Sequence, residues 1–455
     1  MLRKIFALAA IGAVIVTLSA CGGDDAPPAP GALPADEITT ITWTNWESGD
    51  GLLVFQSLVA DFEAQNPDIR INFVNIPEEY DTRLTAMIAA GDPPDVSILE
   101  SATMLYPLAS EGMLANLLTL VDADPNFSMD YLLPALRFMY DEDTMIGYGV
   151  GPQVMMMFYN PSLLDAAGVP RPPARYADAW DWDTFVNYAR ILTIDNNGNN
   201  ANSPDFNPDN IRQFGVSGAR WWAVWMPFVF SAGGHFLAPD GQSLGLLEPA
   251  ALGALQNFAD LTNVHHVMPT PEMAGALPGL AEAFVTGRVA MHFGGHWINT
   301  TLMTDGVDYG VAALPRVGDR ARTMAVSGSL SIFDNENVDA SWRFFAYMFT
   351  ENENLLLERA GLWLPSIAAL YYDENLDLWV TDNHPAGYVY SAVHPMRDST
   401  AMPPVTGTIV NFSRIIEIVA PALDYVWSGD MTVQQALEGI EDSIQQFIEG
   451  FRFVE

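Results

Sequence analysis

One cysteine, Cys21, stands in 455 residues, so no disulfide can form within the chain. Basic residues are also scarce: 19 Lys and Arg face 56 Asp and Glu, a formal net charge of −37. A surface of that sign repels nucleic-acid phosphates and anionic lipid headgroups, which argues against both as partners. Catalytic signatures are missing too. There is no Gly-x-Ser-x-Gly elbow, no phosphate-binding glycine loop and no zinc cluster, and "GYGVG" at 147–151 has the wrong glycine spacing for a dinucleotide site. No repeat recurs at a solenoid period. Apolar side chains, by contrast, are plentiful. At 49% hydrophobic, with 12 Trp, the chain can bury a large core divided over two or three domains.

The first twenty residues read as a secretory signal, with Arg3 and Lys4 ahead of an apolar run from Ile5 to Val16 that is too short to span a bilayer comfortably. "LSAC" resembles the bacterial lipobox, in which the cysteine takes a lipid and becomes the new N-terminus. A lone thiol in a secreted protein is otherwise a liability, which favours lipidation of Cys21. Cleavage there removes two cations and no acid, moving the charge from −37 to −39. Residues 22–37, rich in Gly, Pro, Ala and Asp, read as an extended tether between membrane and body.

From Ile38 the pattern alternates. "ITTITWTN" is a β-branched strand, "LLVFQSLVADFEAQNP" a helix with Phe55, Leu58, Val59 and Phe62 on one face, and "IRINFVNI", "YDTRLTAMIAAG" and "DVSIL" repeat the cycle. Such alternation predicts a parallel, doubly wound α/β sheet, with ligands gathering at the carboxyl ends of its strands. Trp46 and Glu47 then follow the first strand, and Glu100 and Ser101 the third. A second α/β set starts at "GPQVMMMFYN" and includes a helix expected to be capped by Asp183.

Several segments, in order, resemble the sugar-binding group of extracellular solute-binding proteins of ABC importers, which includes the maltose-binding protein. They are "TWTNWESGD", "LVADFEAQNPDIRI", "LTAMIAAGDPPDV", "VMMMFYNPSLLDAAGV", "WDWDTFVNYARILT", "FSAGGHFLAPDG", "EAFVTGRVAMHFGGHW", "YGVAALP" and "TVQQALEGIEDSI". The resemblance implies two α/β lobes of the type II periplasmic-binding-protein fold, with three hinge crossings near Gly151, Gly294 and Ser331. It divides the chain into a signal at 1–20, a lipidated cysteine and tether at 21–37, one lobe from 38–150 plus 298–331, and another from 151–297 plus 332–455. It further implies a monomer anchored outside the cytoplasm through Cys21, which passes a neutral mono- or oligosaccharide to permease subunits without cofactor or turnover.

"MHFGGHW" at 291–297 raises a metal question, because His292 and His296 stand four apart. A helical metal pair needs both imidazoles on one face, and two intervening glycines disfavour the helix; no glutamate follows His292, so the zinc-protease pattern is absent. Gly294 and Gly295 suit a hinge instead. In the resembled family the aromatic after this turn stacks on a sugar ring, which makes Trp297 a candidate plate rather than a core residue. By the same resemblance, Trp46, Glu47, Glu100, Ser101, Gln153 and Trp363 are candidate contacts. Gln153 stands where the maltose-binding protein has a glutamate, so the same sugar is not expected. Trp221, Trp222 and Trp225 crowd one segment and cannot all face the cleft; Trp222 is the first choice for a plate, with Trp221 next. Arg397 is expected over the cleft entrance, unless it pairs with a surface acid.

The loop "DNNGNNANSPDFNPDN" at 195–210 alternates carboxylates and amides. Its glycine stands at the fourth position and no closing glutamate follows, so it reads as a surface insert rather than an EF-hand calcium loop. Two rivals stay open: the same fold holding a polyol, peptide or organic acid, and a secreted glycoside hydrolase with paired carboxylates.

Overall fold

The computed structural model describes residues 38–47, 49–99, 102–349 and 355–452. The signal, Cys21, the tether, Glu100 and Ser101 lie outside the described residues.

Among the described residues, eleven strands build one continuous sheet. They are β1 (Thr39–Asn45), β2 (Ile69–Asn75), β3 (Val96–Leu99), β4 (Arg137–Asp141), β5 (Thr144–Tyr159), β6 (Ile194–Asp195), β7 (Ile211–Gly218), β8 (Val289–Gly295), β9 (Gly310–Ala312), β10 (Thr323–Ile332) and β11 (Ala401–Met402). Their order is β2-β1-β3-β10-β5-β8-β7-β6, with β4 and β9 paired to β5 and β11 paired to β10.

The alternation of strand and helix has its expected result at both ends. β1 lies parallel to β2 and β3, and β7 parallel to β8. In the middle, β10 runs antiparallel to both β3 and β5. The sheet is therefore mixed, where the sequence alone suggested parallel sheets.

The physical reason lies in β5, a 16-residue strand whose two ends serve different cores. Gly149 and Val150 pair with β10 in the first half, whereas Met155 to Tyr159 pair with β8 in the second. Along "VMMMFY", Met155, Met157 and Tyr159 enter one hydrophobic cluster while Val154, Met156 and Phe158 enter another. A strand buried on both faces reads as an unbroken apolar run, and this one does.

Both crossing strands are irregular at one level. Gly151 takes φ of 57°, and the β10 register slips between Val326 and Gly328. The crossing expected near Gly294 is absent there: Gly294 and Gly295 pair with Met156 and Met155 inside the second half, and β9 returns to β5 on the same side. The helix Val338–Phe349 that follows β10 packs Trp342, Phe344 and Phe345 with Ile41, Trp43 and Phe55. Residues 338–349 thus belong with the first half, and residues 298–312 with the second, the reverse of the boundaries drawn from the sequence.

Two local details refine the reading. Asp181, not Asp183, caps the helix Trp182–Leu192, its carboxylate accepting the Thr184 N–H at 2.8 Å. In the 195–210 loop, the buried Asp195 carboxylate accepts the N–H groups of Asn197, Asn199 and Asn207 and the Asn199 side-chain amide. Burial pushes the Asp195 carboxyl up, but these donors outweigh it and hold the group below its usual range. One carboxylate therefore organises the loop from within. No helix among the described residues is long and apolar enough to cross a membrane.

Candidate functional site: a tryptophan-walled cleft

Where the two halves face each other, a cleft of about 730 Å³ opens. The first half contributes Trp46 and Glu47 from the end of β1, and Trp363 from the segment after the helix Leu356–Arg359. The second half contributes Trp221 and Trp222 at the start of the helix Trp222–Ser231, and Trp297 at the start of the helix Ile298–Thr304. Trp225, one turn further along its helix, is buried in the core, so the three-tryptophan segment divides as spacing requires. Trp221 and Trp297 are the open plates, 38% and 37% exposed, and their rings meet edge to face with centroids 5.9 Å apart. Trp222 is the more occluded, wedged between Trp221 at 5.2 Å and Phe412 at 5.0 Å.

Glycines decide where these rings can lie. A Cβ at Gly295 would overlap the Trp297 indole, and one at Gly151 would overlap the fused bond of the Trp363 indole. At Gly328 it would come within 2.6 Å of the Trp46 ring. Three of the five tryptophans thus sit on bare backbone. The glycines of "HFGGH" have this task, seating Ile298 and Trp297 against the strand end, in place of the crossing assigned to them.

The two histidines find separate partners. His292 Nδ1 meets Ser217 Oγ at 2.7 Å, and burial pulls its pKa down to about 4. His296 is fully buried, with Nδ1 2.8 Å from Gln153 Oε1 and Nε2 2.6 Å from the Tyr388 hydroxyl. Burial, assisted by the neighbouring His384, pulls its pKa down to about 3. Among the described residues, no group of three or more His, Cys, Asp or Glu is placed to hold a metal ion.

Residues 46–354 match the profile of bacterial extracellular solute-binding proteins. The chain belongs to that family. A putative binding protein of Brucella abortus is 25% identical over 343 residues, covering 71% of this chain and 76% of its own length. The maltotriose-binding protein of Pyrococcus abyssi is 22% identical over 331 residues, 70% of this chain and 64% of that protein. Among solved structures, an ABC substrate-binding protein of Listeria monocytogenes in complex with cycloalternan shares the fold at a TM-score of 0.75 and 23% identity, over 90% of this chain and 98% of that one. The family is non-catalytic, so this is a solute-binding protein and not a hydrolase.

Within this solute-binding protein, Gln153 plays a more internal part than the sequence suggested. Its Nε2 donates to the Leu362 carbonyl at 3.2 Å and its Oε1 accepts from His296 Nδ1–H, leaving His296 Nε2 to accept the Tyr388 hydroxyl proton. The chain of bonds links β5, the turn beside Trp297 and the segment beside Trp363, and so sets the spacing of two plates. Arg397 is not among the cleft-lining residues; its guanidinium bonds the Asp373 carboxylate at 2.6 Å.

Other lining residues escaped the sequence reading. Thr300, Thr301, Thr304 and Asp305 continue from Trp297 along the helix Ile298–Thr304, and Ser327 and Thr406 join from elsewhere. A polar stripe at three- and four-residue spacing after Trp297 was the available signal.

Proposed function

We propose that this protein captures a carbohydrate in the cleft and delivers it to the membrane subunits of an ABC importer. One observation carries the reading: five indoles and a row of hydroxyls line a cleft between two halves of a solute-binding fold. A sugar ring has an apolar C–H face that matches an indole and a belt of hydroxyls that matches Thr, Ser and carboxylate oxygens. The relatives described as a maltotriose-binding protein and as a complex with cycloalternan support an oligosaccharide. A volume of about 730 Å³ suits a ligand of more than one ring.

In this reading the two halves are lobes, and the irregular level at Gly151 and Val326–Gly328 is the hinge. Ligand bridging both lobes shifts the population toward a closed form that the permease recognises. Cys21, lipidated, tethers the monomer to the outer face of the cell membrane through residues 22–37.

The test is a tryptophan-fluorescence titration of residues 36–455 with mono- and oligosaccharides, together with chromatography of the sugar afterwards. Saturable quenching or enhancement with the sugar recovered intact is the expected result. Silence across the saccharide panel, or product formation, would overturn it.

A further inference from the structure

Beside the cleft, the two halves also touch through the end of the chain. The Val410 N–H donates to the Gly450 carbonyl at 3.1 Å, and the Arg452 N–H to the Thr408 carbonyl at 2.8 Å. Val405, Ile409 and Phe412 enter the same hydrophobic cluster as Phe228 and Phe293, and Gly450 lies against Gly241. The chain end is therefore anchored in the second half.

Tyr106, by contrast, belongs to the first. It is buried on the helix Ala102–Ser110, in a cluster with Tyr80, Leu99 and Phe138. Yet the second half engages both its ring and its hydroxyl. The Arg452 guanidinium lies 3.2 Å from the ring centroid, and the hydroxyl donates to the Gly407 carbonyl at 3.3 Å. A cation over an aromatic face is attracted by the ring quadrupole. Gly407 also packs on Phe138, where a Cβ would come within 3.1 Å of the ring.

Position gives these contacts their meaning. Thr406, next to Gly407, lines the cleft. Phe138 pairs with Gly147 of β5, which sets its contact with Gly407 on the order of 13 Å along the strand from Gly151. Rotation of one half against the other about Gly151 and Val326–Gly328 moves such a contact in proportion to that distance, and a shift of about 1 Å already breaks a hydrogen bond.

We infer that the C-terminal turn is an interlobe latch, in which Arg452 on the Tyr106 ring and the Tyr106 hydroxyl on the Gly407 carbonyl hold the halves at their close approach beside the cleft. Sugar then meets halves already drawn together, so a larger share of the population is competent to bind and the apparent affinity rises. The inference rests on the hinge reading above.

The sole cysteine, Cys21, precedes the soluble body of residues 36–455, so a Thr82→Cys, Glu272→Cys pair, one exposed site on each half, carries spin labels without competition. Pulsed electron resonance reads the distance between the halves with and without maltotriose, and calorimetry reads the maltotriose affinity. Arg452→Ala removes the cation, and Tyr106→Phe keeps the ring while removing the hydroxyl. Their combination is expected to shift the sugar-free distance away from that of the sugar-bound form and to weaken maltotriose binding about threefold or more. If maltotriose moves the labels in the parent protein while the double variant matches the parent in distance and affinity, the latch is overturned and the hinge stands. If neither sugar nor substitution moves the labels, hinge and latch fall together. If maltotriose does not bind, the sugar-free distance decides alone: a shift in the double variant supports the latch, and none overturns it.

Discussion

Trp297 and Gly295 form a pair in which the smaller residue makes the larger one useful. The indole occupies space that a Cβ at 295 would need, so Gly295→Ala must push the ring off the strand end. Ring stacking of this kind contributes about 1 kcal/mol, and both Gly295→Ala and Trp297→Ala should weaken sugar binding by at least about fivefold. Calorimetry reads this directly, and a melting temperature close to wild type in Trp297→Ala separates loss of the plate from loss of the fold. His296 makes a different kind of prediction. Its folded pKa of about 3 lies below the unfolded value near 6.5, so between those pH values the unfolded chain holds the extra proton and stability rises with pH. Lowering the pH from 7 to 5 should therefore cost about 2 kcal/mol through His296 alone. Thermal melts of wild type and His296→Gln across that interval should show a shallower slope in the variant. Of the seven described ligand-site candidates that line the cleft, five are tryptophans, and four of these stand where an element ends or begins, Trp46 after β1 and Trp221, Trp222 and Trp297 at helix starts, visible because element ends could be located from periodicity. Gln153 was visible as a position but not as a partner of His296, since no local pattern pairs residues 143 apart in sequence.

β5 explains how far elements could be read. Its apolar run was plain in "VMMMFY", yet the strand begins at Thr144, ahead of the stretch that reads as strand, because three glycines at 147, 149 and 151 mask an extended segment. Two of them are spaced for contact: a Cβ at Gly147 would strike Ser329 Oγ, and one at Gly149 would come within 2.7 Å of Ser327 Oγ. Gly151 is different, because φ of 57° and the Trp363 ring both bear on it. Gly151→Ala should cost about 1–3 kcal/mol and displace Trp363, seen as a lower melting temperature and weaker sugar binding at once. The crossing expected near Gly294 is not at that pair, since a glycine pair that seats a tryptophan and one that bends a strand look alike in sequence, while the one expected near Ser331 falls on β10, whose irregularity lies at Val326–Gly328. The 195–210 loop has a simpler test. With Asp195 accepting four N–H groups internally, Asp195→Ala should lower the melting temperature, whereas calcium or a chelator should leave the wild-type value unmoved.

At the scale of the whole molecule, the two halves share one sheet but not one core. Ile41, Trp43, Phe55 and Phe344 belong to one cluster, while Phe185, Phe228, Phe293 and Trp427 belong to another. In the hinge reading proposed above, the two packed bodies rotate about the level where both joining strands are irregular, Gly151 and Val326–Gly328. On that same proposal, a ligand that touches Trp46 and Trp363 on one side and Trp221 and Trp297 on the other would make its full set of contacts only when the halves approach, and that differential contact would shift the population. Saturating sugar should therefore reduce the radius of gyration measured by small-angle scattering, and at a hundredfold excess over Kd it should stabilise the fold by about 2.7 kcal/mol. Trp297→Ala and Trp46→Ala, on opposite walls, should each diminish both responses. If the protein bound sugar with full stabilisation but unchanged dimensions, the cleft would be preformed, and recognition by the permease would have to depend on something other than closure.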